Sequence, residues 1–217
     1  MHPTPEKLRV GWLLGLNTGF VDAYTYYYHH ERFASMQTGN LIQGGIALAK
    51  QHYQIAFGFA LPVVFFALGA GFGWLLQTYL PKRRFSWQQH NLLVQASGIA
   101  LITLFAQTLS DAAFVASLSF FMALQANSFT KLRGMPYATV MSTGNIRSFG
   151  EHLMTGLIQR DWQKIRHSWA FLVVIFAFVI GAFVSTTLTQ AVGSTSLLGG
   201  SVILITVFLI LNQKNEI

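Results

Sequence analysis

Five stretches of this chain, residues 54–80, 91–109, 112–130, 168–190 and 193–212, contain no charged side chain. Each matches the ~20 residues that a helix needs to cross a hydrocarbon layer about 30 Å thick. A sixth stretch, residues 10–28, carries one charge, Asp22. So many apolar runs leave too little polar surface for a soluble fold. Only 10% of the residues are charged and 53% are hydrophobic, whereas a soluble domain carries about 25% charged residues. The expectation is an all-α membrane protein, one integral membrane domain over residues 1–217 with six transmembrane helices. There is no cysteine, which removes disulfides, thiol catalysis and cysteine-based metal sites. Lys7 and Arg9 precede the first apolar run, which holds Asp22 and several tyrosines and no small-residue cleavage site. It reads as a retained first helix and not as a cleaved leader.

Two further stretches are less apolar. Residues 33–50 hold Ser35, Gln37, Thr38, Asn40, Gln43 and three glycines, and residues 135–159 include Arg147, Glu151 and His152. Each either spans, giving eight crossings, or enters and leaves on one side, giving six. Cytoplasmic loops collect Lys and Arg, so the basic residues discriminate. With six spans and the N-terminus inside, 12 of the 14 Lys and Arg residues lie on the cytoplasmic side and only Arg32 and Lys50 lie outside. With eight spans the triplet Lys82, Arg83 and Arg84 and the pair Lys131 and Arg133 move outside. The split becomes 7 to 6, with Arg147 left inside the bilayer, where such a charge is expensive. The expected topology is six full spans plus two re-entrant or half-spanning segments, with both termini cytoplasmic. The same asymmetry accounts for the net charge of +7. Nucleic acid is not expected as a partner, because no recognition motif accompanies the charge.

The chain repeats itself. Shifted by 105 residues, Met36, Thr38, Gly39, Asn40 and Gly45 fall on Met141, Thr143, Gly144, Asn145 and Gly150, Thr25 on Thr130, and Asp22 on Asn127. Each half, about 8–109 and 112–213, reads helix, T-G-N segment, helix, helix. Three spans per half is an odd number, so the second half is expected upside down. Inverted repeats with broken helices are a recurring plan of transporters, with the site near the midplane.

The run G-F-V-D-A at residues 19–23, M-Q-T-G-N at 36–40, A-L-Q-A-N at 123–127 and S-T-G-N at 142–145 resembles the DUF1275, or YoaK-like, family of bacterial membrane proteins. The resemblance covers nearly the whole chain. It implies a multi-pass protein of the bacterial cytoplasmic membrane and does not supply a substrate, since the family is one of unknown function.

Several residues carry candidate chemistry. Gly11, Gly15 and Gly19 recur every four residues, a face that permits close helix packing. Asp22 shares that face and is expected to point inward. A carboxylate inside a membrane is a candidate solute or proton site; the alternative is a buried acceptor for nearby backbone, such as the T-G-N turn. Asn127 supplies polarity without charge at the matching position. The triads Thr38, Gly39, Asn40 and Thr143, Gly144, Asn145 offer helix capping by Thr or Asn and close approach at Gly. The first would start a half-spanning helix near the midplane, its amides and positive dipole end turned toward a polar or anionic solute. The alternative is a tight packing corner, duplicated with the gene. Arg147 and Glu151, four apart, can pair as a gate or line a solvated entrance.

Other features read as structural. His29, His30 and Glu31 form a cluster at the outer edge, with His52 as a further donor, but adjacent helical histidines diverge by about 100° and chelate poorly together. Tyr24, Tyr26, Tyr27 and Tyr28 fit an outer aromatic belt, and Trp87, Trp162 and Trp169 an inner one. Gly69, Gly71 and Gly73 lack the spacing of a nucleotide loop, and Gly69 with Gly73 makes a helix-packing face. No catalytic constellation, metal site or cofactor motif is present, so the chain is not expected to be an enzyme. The expectation is a small-solute permease or channel for a polar or anionic solute, with proton coupling at Asp22 as one form of it. The alternative is a non-transporting assembly partner or sensor. A chain this short is also a candidate homo-oligomer.

Overall fold

The computed structural model describes residues 3–79 and 85–213; the triplet Lys82, Arg83 and Arg84, as well as Lys214, falls outside the described residues. Eight α-helices make up most of the described chain. They are α1 (Leu8–Tyr28), α2 (Gln37–Ala49), α3 (Tyr53–Tyr79), α4 (Trp87–Leu104), α5 (Asp111–Ser128), α6 (Ser142–Gln159), α7 (Trp162–Val192) and α8 (Leu198–Asn212). A short antiparallel hairpin, β1 (Lys131–Leu132) and β2 (Met135–Pro136), stands between α5 and α6. Among the described residues, two stretches are long and apolar enough to cross a membrane: α3, and the 51-residue run Trp162–Asn212 that α7 and α8 form around a 3-10 turn.

Local chemistry sets the helix starts. The Ser86 hydroxyl accepts from the Gln89 amide while Gln89 Oε1 accepts from the Ser86 amide, a capping box at α4. Ser110 accepts from the Ala113 amide at α5, and Asp161 from the Gln163 and Lys164 amides at α7. The Asp161 cap lets α7 begin at Trp162, ahead of the apolar run expected from residue 168. It ends where Gly193 takes φ +67°.

The two less apolar stretches each fold as a loop followed by a helix. In 33–50 the helix begins at Gln37. In 135–159 a strand and an irregular segment precede α6. The capping expectation fails at both. Met36 and Met141 occupy the cap positions and neither helix has a side-chain cap, because the asparagines turn back along the chain instead.

Helix α1 packs along α7, and α3 along α5; α2 lies on α3, and α6 on α7; α4 packs on α5 and α8, and α8 also on α1. The glycine face of α1 meets α7 as expected. A Cβ at Gly15 would lie 2.9 Å from Val174 Cγ1, and one at Gly19 would overlap the Phe178 carbonyl. Reciprocally, a Cβ at Gly181 would overlap the Leu16 carbonyl. In the α3–α5 pair Gly69 sits against the Phe120 carbonyl and Gly73 against Leu124 and Asn127. The main core, with Leu14, Val21, Ile99, Phe114, Met122 and Leu204, fills the space among α1, α4, α5 and α8. Tyr24 belongs to this core and not to the aromatic belt. It is buried near Phe114 with its hydroxyl directed at the Ser194 carbonyl, while Tyr26, Tyr27 and Tyr28 are exposed.

At Gly19 and Gly181 the atoms that a methyl would strike are backbone, which cannot move aside. Gly19→Ala and Gly181→Ala are therefore each expected to destabilise by about 1–3 kcal/mol. Gly71→Ala, with nothing within 4 Å of its Cβ position, should be neutral. Melting temperatures of the purified variants in detergent check this.

Candidate functional site

Between α1 and α2 the chain leaves helical geometry over residues 29–36, so its amides need other partners. Three successive ones find side chains. The Phe33 amide donates to Asn40 Oδ1 (3.0 Å), the Ala34 amide to Thr25 Oγ1 (3.3 Å) and the Ser35 amide to Asp22 Oδ1 (2.7 Å). The Ser35 hydroxyl donates to Asp22 Oδ2 at 2.5 Å, so both carboxylate oxygens are engaged by one serine. Asn40 Nδ2 donates to the Phe33 carbonyl and to Gln37 Oε1. The loop thus runs back along α1 from Tyr28 to Asp22, about 9 Å at 1.5 Å per residue, and α2 then returns. Its far end closes the circuit, since Lys50 and His52 line one cavity of about 420 Å³ with His30 and Glu31.

The segment before α6 makes the same move from the other end. Asn145 Nδ2 donates to the Ala138 carbonyl (2.8 Å) and Asn145 Oδ1 accepts from the Ala138 amide (3.4 Å). Each T-G-N asparagine therefore clasps the backbone of the residue seven positions before it. The Tyr137 hydroxyl donates to the Gly11 carbonyl (3.1 Å), and the Thr139 carbonyl lies 3.0 Å from the Thr18 hydroxyl. This loop advances along α1 from Gly11 to Thr18, the middle of the helix. The two loop tips, Ser35 at Asp22 and Thr139 at Thr18, reach the same face of α1 one turn apart.

A buried polar cluster adjoins them. Gln125 Nε2 donates to Thr18 Oγ1 (2.8 Å) and the Leu14 carbonyl (3.2 Å). Gln125 Oε1 accepts from Asn17 Nδ2 (2.8 Å) and Gln95 Nε2 (3.4 Å). All four side chains are buried. Asn17 Oδ1 has no protein partner and faces Gly200, where a Cβ would lie 3.3 Å away. The sequence pointed to one of these four only through Gln125 in A-L-Q-A-N. Uncharged amides in apolar helices carry no signal until their neighbours are known.

The other expected residues fall in different places. Asn127 does not join Asp22; its Nδ2 donates to the Ala70 carbonyl of α3 at 2.6 Å. Thr38 and Thr143 are exposed. A Cβ at Gly39 would lie 2.9 Å from the Phe33 ring, whereas one at Gly144 would meet nothing. Arg147 and Glu151 pair on the exposed side of α6 (Nε to Oε1, 2.8 Å).

Just past the end of α1, Asp111 holds two imidazoles, His29 Nδ1 at 2.6 Å and His30 Nε2 at 3.1 Å. Arg32 donates to the Gly58 and His29 carbonyls and stacks on Phe59, tying the loop to α3. Burial pushes the His29 pKa below the ordinary histidine value, against the pull of Asp111. Its Nε2 is buried without a partner, and its ring stacks on Phe114 with the centroids 4.2 Å apart.

The family model described as "Protein of unknown function (DUF1275)" matches residues 10–210, and the chain belongs to that family. No curated protein and no solved structure matches the chain.

Two outcomes are expected. Asp22→Ala strands the buried Ser35 amide and should destabilise by about 1–3 kcal/mol, read as a lower melting temperature and lower abundance. Asp22→Asn keeps one acceptor for that amide and a donor for the serine hydroxyl, so it should retain most of the stability. For His29, a lowered folded-state pKa means the folded chain binds the proton more weakly than the unfolded one. The stabilisation is complete above about pH 6.5 and declines as the pH falls through that value. Melting temperature should drop between pH 8 and pH 5.5, and His29→Gln should remove part of the drop.

Proposed function

We propose that this chain is a small-solute permease or channel of the bacterial cytoplasmic membrane, for a polar or anionic solute, built as an inverted repeat of six spans and two re-entrant segments. The observation that carries the reading is the approach of two returning loops, from opposite ends, to one turn of α1 beside a buried uncharged polar cluster. That is the arrangement in which irregular backbone lies at depth and lines a solute path.

Two contacts support the topology. Six spans put His29 and Asp111 on one side and Glu6 with Arg133 on the other. The His29–Asp111 bond (2.6 Å) and the Arg133 amide to the Glu6 carbonyl (2.8 Å) fit that count. Eight spans would set each of these pairs on opposite faces. Exchanging the halves also maps the helix packing onto itself: α1 on α7 becomes α5 on α3, and α2 on α3 becomes α6 on α7. In this orientation both termini are cytoplasmic. Asp22 is the candidate proton carrier beside the cluster, and assembly as a homo-oligomer belongs to the same proposal.

A specific observation favours a second reading, a non-transporting assembly partner or sensor. Asn40, Asn145 and Asp22 spend their polar atoms on the protein's own backbone and Ser35, which fits structural T-G-N turns.

Osmotic re-swelling of proteoliposomes with glycerol, urea and formate separates the two. A permease should speed re-swelling for at least one solute over protein-free vesicles, and Gln125→Leu should slow it at unchanged incorporation. Folded protein that accelerates none of the three favours the second reading.

A further inference from the structure

A second group of residues lies away from the polar cluster, at the start of α7. Arg133, Trp162, Gln163, Arg166 and His167 line a cavity of about 540 Å³. Trp162, Arg166 and Trp169 recur at four- and three-residue spacing and share one helix face. Trp162 is 76% exposed and Trp169 57% exposed, and the charge-free run begins at residue 168. The cavity therefore sits where α7 passes from polar to apolar sequence, the level at which tryptophan collects in membrane helices.

The charge at this cavity is of one sign. Among the described residues neither Arg133 nor Arg166 has a carboxylate within ion-pairing distance. The nearby acids are engaged by backbone. Asp161 Oδ1 accepts from the Gln163 and Lys164 amides, and Glu6 Oε2 accepts from the Gly134 amide at 3.0 Å. The Glu6 carbonyl also accepts from the Arg133 amide at 2.8 Å. That contact pins the hairpin turn, where Arg133 adopts φ +51°, and so presents the arginine from one fixed position. Two guanidinium forks converging on one space suit a phosphate group, and basic pockets beside membrane helices on the cytoplasmic side suit anionic headgroups.

We infer that this cavity is a binding site for the phosphate headgroup of an anionic phospholipid, with Arg133 and Arg166 as its charge contacts and Trp162 as its interfacial wall. The inference rests on the membrane reading of the chain and not on transport. A chain that moves no solute would still hold the lipid.

Native mass spectrometry of the detergent-purified chain tests it, with dioleoyl phosphatidylglycerol, dioleoyl phosphatidylcholine and inorganic phosphate as probes. Phosphatidylglycerol should be retained about tenfold or more over phosphatidylcholine, the scale of one charge-assisted contact. Arg133→Gln with Arg166→Gln should abolish that preference at unchanged melting temperature. Arg9→Gln with Lys50→Gln, an equal loss of charge elsewhere, should preserve it. Should the first pair fail to fold, Arg166→Gln alone, an exposed position, should still lower retention severalfold. Equal retention of the two lipids, or equal loss in both double variants, overturns the assignment. Displacement of phosphatidylglycerol by millimolar inorganic phosphate reassigns the cavity to a soluble anion and overturns the lipid inference.

Discussion

Backbone that leaves helical geometry in an apolar surrounding has to find hydrogen-bond partners within the protein, and this requirement organises the molecule. A buried amide without a partner costs about 1–3 kcal/mol, and the loop after α1 presents three in succession. Asn40, Thr25 and Asp22 accept one each. The requirement explains why a carboxylate is tolerated inside an apolar helix: Asp22 serves the Ser35 amide and hydroxyl at once. It also explains why the T-G-N segments carry asparagine. An amide side chain carries its acceptor and its donor on separate atoms, so it can accept from a backbone N–H and donate to the carbonyl of the same residue, as Asn40 does at Phe33 and Asn145 at Ala138.

Close helix packing is the second requirement. The loops reach the middle of α1 while α7 packs along its glycine positions beside them, so little room is left there for side chains. Small residues permit this. Where Gly19 meets the Phe178 carbonyl and Gly181 the Leu16 carbonyl, the two backbones come nearer than any side chain would permit, which adds dispersion contacts between them. Because α1 packs on α7 and α3 on α5, each half of the chain is buttressed by the other. Neither half encloses the Thr18–Asp22 turn alone: Thr18 meets Thr139 and Gln125 of the second half, and Asp22 meets Ser35 of the first.

Polar chemistry is segregated by kind. Uncharged amides and a hydroxyl gather at the centre, where Asn17, Thr18, Gln95 and Gln125 satisfy most of one another's hydrogen bonds. Asp22, held by Ser35, lies beside them, and other titratable groups lie at the ends. The His29, His30 and Asp111 contacts and the buried Arg32 fasten one end; arginines and exposed tryptophans mark the other. Charge is expensive away from water, whereas an amide partnered by an amide is not, so this separation is what the surroundings permit.

Composition and pattern determined much of this directly. Charge-free runs mark helices because a long apolar stretch has few other ways to satisfy its own backbone, and all six expected stretches carry a helix. The four-residue glycine spacing marked the packing face of α1, and the 105-residue repeat marked the two T-G-N segments, since both are periodicities along the chain. Tertiary structure alone decided what the polar residues do. Asn40 and Asn145 clasp the preceding loop instead of capping a helix, Asn127 binds α3 instead of standing beside Asp22, and Tyr24 turns inward while its neighbours turn out. The partner of a hydrogen-bonding side chain is fixed by how elements meet in space, as Gln125 and Thr18 show across 107 residues of chain. Spacing within one helix reveals the face on which a residue lies and not what the rest of the fold brings to it.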